Sequence, residues 1–202
     1  MRTPSARYTA LIASIFATTL AAGVAAQNPA PDSAGRGATR ADQAPSREAG
    51  TAIGSAERKF MTEAAMGGIV EVEGGQLAAK KAMVPEVKAF GQRMVQDHGK
   101  ANEELKRIAS GKGVQLPAQL DRKHRGDLDR LAKLSGADFD REYMEHMVKD
   151  HKQDIAEFQK AAKDLKDADV KQFASSKLPT LEEHLRMAEQ AAAATKDRSA
   201  KR

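Results

Sequence analysis

The sequence predicts an all-α protein, a four-helix bundle whose central crossover contains a short helix. Three observations predict it. Aromatic residues are 4% of the 202 residues and Trp is absent, few for a sandwich or barrel, whose half-buried faces favour aromatic and β-branched side chains. Ala, Lys, Glu, Leu and Met, all good helix formers, are abundant. Apolar residues recur at three- and four-residue spacing over long stretches.

The chain opens with an address. Arg2 and Arg7 give a positive start, Thr9 to Leu20 is apolar, and Ala22 to Ala26 is a small-residue region ending in Val24-Ala25-Ala26. These are the three parts of a secretory signal over 1–26, too short for a comfortable transmembrane helix. No second long apolar run follows, so the expected mature chain has no transmembrane span. The expected location is across the inner membrane, periplasmic or associated with the outer membrane. Residues 27–55 are rich in Ala, Pro, Gly, Ser and Asp, a linker composition that cannot bury enough surface to offset ordering entropy.

The folded part is expected over 56–194, with a basic tail at 195–202. The first helix runs from Ala56 to Ala82, with Phe60, Ala64, Gly67, Glu71, Gly75, Ala78 and Ala82 on one stripe. The second starts at Pro85, whose missing N–H is harmless in a first turn. Its inner face carries Val87, Phe90, Met94, Ala101, Leu105 and Ile108, and Gly111 and Gly113 stop it. The connection 114–136 contains a short amphipathic helix with Leu120, Leu128, Leu131 and Leu134. The third main helix starts at Asp138, a good N-cap, and buries Phe139, Tyr143, Met147, Ile155, Phe158, Ala162 and Leu165. The fourth begins near Asp167 and ends near Ala194, and Pro179 should kink or split it. Two tight connections around one long one describe an up-down-down-up, ferritin-like arrangement. The second and third main helices are then diagonal to each other, as are the first and fourth.

Polar residues interrupt the apolar stripes. Phe90, Met94, Val95, Asp97 and His98 are echoed by Tyr143, Met147, Val148, Asp150 and His151. Both histidines border an inner stripe, with an aspartate about 100° further round. Glu71 lies within the first helix's stripe and His184 beside Leu181 and Ala188. At a rise of about 1.5 Å per residue, His98 and His151 lie about 20 Å into parallel helices, with Glu71 and His184 near that level. One layer of Glu71, His98, His151 and His184 is geometrically possible.

Two readings of that layer stay open. A carboxylate and three imidazoles suit Cu, Zn, Fe or Ni, and Met94 and Met147, each one turn from a histidine, would bias the site toward Cu(I). Alternatively the layer is structural, with Asp97 paired to His151 and Asp150 to His98. The flanking residues of a metal site would then be Met94, Asp97, Met147 and Asp150. Gly67-Gly68 and Gly74-Gly75 give either close helix packing or space beside Glu71. His124, in the run Arg122-Lys123-His124-Arg125, reads as solvated, and His146 as a surface partner of Glu142 or Asp150.

Composition excludes several chemistries. With no cysteine there is no disulfide scaffold, zinc finger, thiolate iron–sulfur site or Cys nucleophile. The formal charge of +5 comes from 33 bases interleaved with 28 acids, and loss of the leader removes two positive charges. No nucleic-acid partner is expected. No Glu-x-x-His occurs, the motif that di-iron bundles use on two helices, so ferroxidase or oxygenase chemistry is not expected, and no residue is assigned a catalytic role.

Four groups of residues carry a family resemblance. They are Phe60 with Ala64, Ala65, Gly68 and Glu71-Val72-Glu73; Lys88-x-Phe90-Gly91-x-x-Met94-Val95-x-Asp97-His98 with Gly113-x-x-Leu116-Pro117; Leu134-Ser135-Gly136-x-x-Phe139-Asp140-x-x-Tyr143 through Met147-Val148-x-Asp150-His151; and Leu178-Pro179-x-Leu181-x-x-His184-Leu185. In combination they resemble the secreted ferritin-like proteins classed as domain of unknown function, family 4142. The resemblance spans Lys59 to Glu189. It implies an exported bacterial helical bundle of the outer membrane or periplasm and no established activity. The function expected is a structural or interaction module of the cell envelope with an unspecified partner. The alternative is a periplasmic transition-metal-binding protein. Self-association is left open.

Overall fold

The structure, a computed structural model, describes residues 52–200, with side chains to residue 197. The expected leader, the linker up to residue 51 and the last two residues of the tail lie outside the described residues. Five helices follow: α1 Ser55–Lys81, α2 Pro85–Gly111, α3 Arg122–Lys133, α4 Gly136–Asp164 and α5 Ala168–Ala200. Four form the bundle and α3 sits in the crossover.

Four neighbouring pairs fix the direction of the chain. In α1 and α4, Glu71 faces His151 and Phe60 faces Phe158, so the helices are antiparallel. In α2 and α5, Asp97 pairs with His184 and Glu104 with Lys177, again antiparallel. Connections of only three residues, 82–84 and 165–167, fold α1 back on α2 and α4 back on α5. The result is up-down-down-up. Among the bundle helices, α1 packs on α2 and α4, and α5 on α4 and α2, which leaves α2/α4 and α1/α5 as the diagonals.

Helix ends are set by specific groups. Gly113 has φ of 65°, and its N–H bonds the Ser110 carbonyl while that of Val114 bonds Ala109. This nested pair is a Schellman stop, which needs a left-handed residue after the helix. Asp121 caps α3 through the His124 N–H at 2.9 Å, an exposed contact at the surface of the crossover. Asp167 caps α5 through Asp169 and Val170, both at 3.1 Å.

Two caps come from other helices. Asp140, fully buried in α4, accepts from the N–H groups of Met83 at 3.1 Å and Val84 at 2.8 Å at the start of α2. Glu57, buried in α1, accepts from the Lys166 N–H at 2.9 Å just before α5. Both put a carboxylate at the positive end of a helix, where the unpaired N–H groups are.

Two boundaries differ from expectation. α4 starts at Gly136, with Ser135 at its N-cap, and Asp138 lies inside the first turn, where its charge suits the dipole. α5 continues past Ala194 to Ala200, with Thr195 buried. Nor does Pro179 split α5, which is helical on both sides of it. Pro179 is exposed, so its ring meets water, and the turn before it is supported by Ser175 and Ser176 hydroxyls donating to the carbonyls of Gln172 and Phe173.

The apolar core is divided. One cluster holds Phe60, Met61, Leu105, Phe158, Phe173 and Leu181. The other holds Val87, Phe90, Met94, Phe139, Tyr143 and Met147, and α3 covers it with Leu128 and Leu131. Along every bundle helix the two clusters are separated by one polar residue: Glu71, His98, His151 or His184.

Candidate metal centre

The four polar residues expected to form a layer do meet. Each comes from a different helix, and all are buried; His151 and His184 have no exposed surface. The imidazole centroids of His98, His151 and His184 are 5.2–5.8 Å apart. A nitrogen from each ring lies within 4.8 Å of those from the other two.

In each ring one nitrogen faces an acceptor. His151 Nδ1 donates to the Met147 carbonyl at 2.9 Å, and His184 Nε2 to Asp97 Oδ2 at 2.9 Å. His98 Nδ1 lies 2.6 Å from Glu71 Oε2. The opposite nitrogens, His98 Nε2, His151 Nε2 and His184 Nδ1, are buried without a hydrogen-bond partner. Glu71 Oε1 and the Tyr143 hydroxyl are in the same condition. Glu71 Oε1 is 3.5 Å from His151 Nε2, too far for a good hydrogen bond. Buried polar atoms are normally paired, so this concentration of unpaired lone pairs in one layer is unusual.

The pairings differ from those expected of a structural layer. Asp97 holds His184, not His151, and also accepts from Arg93. Asp150 holds His146 at 2.9 Å, not His98. The reason is helical phase: a residue one position before an inward histidine is turned about 100° from it, away from the diagonal helix, so Asp97 meets adjacent α5 and Asp150 meets His146 one turn back on α4 itself. His146 is therefore the surface partner of Asp150 that the spacing suggested.

Burial sets the charge state. Desolvation lowers His98 to about 4, against the pull of Asp97. Desolvation likewise lowers His184 to about 4, against its hydrogen bond to Asp97. His151 is lowered by burial, with Glu71 opposing. All three rings are neutral at pH 7, with a lone pair available. Burial pushes Asp97 up, but the hydrogen bonds from His184 and Arg93 outweigh it and hold the carboxyl low, ionised and acceptor-only. Glu71 and Asp154 are both pushed up, by burial first and then by neighbouring carboxylates.

The donor set suits a transition metal. Neutral imidazole is a ligand for Zn, Cu, Fe and Ni. If all three nitrogen separations were at the 4.8 Å limit, the point equidistant from them would be about 2.8 Å from each, against metal–nitrogen bonds of about 2.0–2.1 Å. Closure takes under ~1 Å per ring. Fixed acceptors on the second nitrogen are the usual outer support of such ligands. Glu71 is not part of the group of three and lies against His98 and His151 instead. Met94 and Met147 are fully buried in the Phe90–Tyr143 cluster.

Asp154, on α4 one turn beyond His151, was not singled out by the sequence pattern. The spacing of three residues was the available signal. Tyr143 was assigned to the inner face; its hydroxyl, buried beside the charge of Glu71, is pushed well up.

Comparison with known proteins supports the fold. No curated protein matches the chain. A solved structure titled "Crystal structure of DUF305 fragment from Deinococcus radiodurans" is similar with a TM-score of 0.62 and 11% sequence identity, over 71% of this chain and 99% of that one. That likeness shows the helical-bundle fold alone. A family profile matches residues 42–191, and with it the motifs in Phe60–Leu185 find their place. The chain belongs to the DUF4142 family, a domain of unknown function.

Proposed function

We propose that this protein binds a divalent transition-metal ion through His98, His151 and His184. One observation carries the reading: three buried, neutral imidazoles from three helices converge within 4.8 Å, each with one nitrogen steered by an acceptor and the other unpaired. Glu71 and Asp97, with the Met147 carbonyl, orient the rings. A layer that only fixed helix register would pair its own lone pairs. The sequence of 1–26 supports an exported location, where such an ion would be met outside the cytoplasm.

The test is metal analysis of the purified protein after exposure to Cu, Zn, Fe or Ni, with thermal unfolding. A ligand that binds only the folded state at 100 times its Kd stabilises by about 2.7 kcal/mol, about 5–10 °C for a domain of this size. The expected result is one ion per chain and a shift of that order, lost in His151→Ala. No stoichiometric metal with any of the four, and no thermal shift, overturns the reading.

A further inference from the structure

Two of the three histidines, His98 and His184, line a cavity; His151 lies behind them and is not part of its lining. Its volume is about 220 Å³, far above the ~10–15 Å³ that seats one water. Glu71, Asp97, His98 and His184 line it, together with Phe158 and Phe173. His98 Nε2, His184 Nδ1 and Glu71 Oε1, all buried and unpaired, belong to residues of that lining.

Gly67 borders this space. It lines the cavity one turn before Glu71, and a Cβ built on it would meet nothing within 4 Å. Packing therefore does not require glycine there, although glycine in a helix costs up to about 1 kcal/mol relative to alanine. Its neighbour Gly68 is different: the Asn102 side chain lies over it, 2.0 Å from where a Cβ would stand. Gly75 is closed by the α2 backbone. Of the four glycines in the paired motifs, Gly67 alone is left facing open volume.

We propose that the cavity admits a small exogenous donor ligand to an open coordination position on the ion. This rests on the metal reading above. Three protein ligands leave a tetrahedral ion one position short, as in sites that exchange their fourth ligand. The group of three is all histidine, and Glu71 Oε2 is engaged by His98 Nδ1 at 2.6 Å as that ring's acceptor; with Glu71 in that role, the fourth position goes to an external donor.

The experiment uses the full chain loaded with one equivalent of Co²⁺ or Cu²⁺, metal content measured, and azide as probe. Azide is expected to change the visible spectrum of the loaded protein saturably. Gly67→Leu is expected to keep metal stoichiometry and helical content and to weaken azide at least tenfold. Gly67→Ala, which leaves most of the volume, should stay within about twofold of wild type. Stoichiometric metal with a spectrum indifferent to azide overturns this inference and leaves the metal reading standing. Unchanged azide affinity in Gly67→Leu overturns the assignment to this cavity. Failure to bind metal at all overturns both.

Discussion

Replacing Gly75 by alanine is expected to lower stability by about 2 kcal/mol, against the helix-propensity rule. The added Cβ would stand 2.6 Å from the Gly91 carbonyl oxygen and 3.1 Å from Met94 Cβ and Val95 Cγ2. Carbon–oxygen contacts settle near 3.3–3.6 Å, so α1 and α2 would have to part by about 0.7 Å or more at their closest approach. The opposing atom is backbone and cannot rotate away. Overpacking costs about 1–3 kcal/mol, and the upper end applies where backbone is struck from a buried position. Gaining alanine's propensity returns up to about 1 kcal/mol. A net loss of about 2 kcal/mol corresponds to about 4–8 °C for a domain of this length. Gly99→Ala is the control, because a Cβ there meets nothing within 4 Å. It should gain about 0.5–1 kcal/mol. Thermal unfolding followed by far-UV circular dichroism, on the metal-free protein, reads both. A Gly75→Ala protein as stable as wild type would refute the close approach. Equal losses in both variants would mean that glycine matters for something other than space.

Further outcomes follow from the same geometry. Asp140→Ala leaves the N–H groups of Met83 and Val84 without their carboxylate and should cost about 1–2 kcal/mol, read by urea midpoint at unchanged m-value; no loss would remove Asp140 as the cap of α2. Glu57 is held below the usual carboxylate range, chiefly by the Lys166 N–H. Its contribution is therefore present above about pH 4.5 and lost as pH falls through the lower folded value. Glu57→Gln should flatten the acid side of the stability profile below pH 4.5, and an unchanged profile would refute this. Asp97→Ala removes the acceptor on His184 Nε2 but no ligand, and should weaken metal binding about 10–100-fold, measured by competition with a chelator. Pro179→Ala restores an exposed helical N–H and should raise stability, by up to about 3 kcal/mol; a loss would show that the proline conformation itself is needed.

Much of the architecture was written in periodicity. Phe60, Phe90, Tyr143 and Phe158 lie inward because three- and four-residue spacing fixes which face of a helix they share. Glu71, His98, His151 and His184 fall in one layer for a related reason: helix rise is constant, so counting from helix starts measures depth. Partners were less legible. Spacing alone lets Asp97 face His151 and Asp150 face His98 along a diagonal, but a side chain about 100° off the inner stripe points away from the diagonal, and for Asp97 the adjacent helix presents His184 there. The cross-helix caps of Asp140 and Glu57 gave no local signal, since each carboxylate serves a backbone more than fifty residues away.

The sequence by itself determined the helices, their order and the up-down-down-up connectivity. It also limited any metal ligand to histidine, methionine or carboxylate, because there is no cysteine. Those properties depend on spacing and composition, which are local. Only the tertiary structure decided that Glu71 lies against two rings rather than among the three nitrogens, and that Gly67 borders a cavity while Gly75 closes a helix contact. Two glycines in the same helix, alike in sequence, differ because one faces empty volume and the other the backbone of α2. What stands opposite a residue is fixed by packing between distant segments, and no spacing within one segment encodes it.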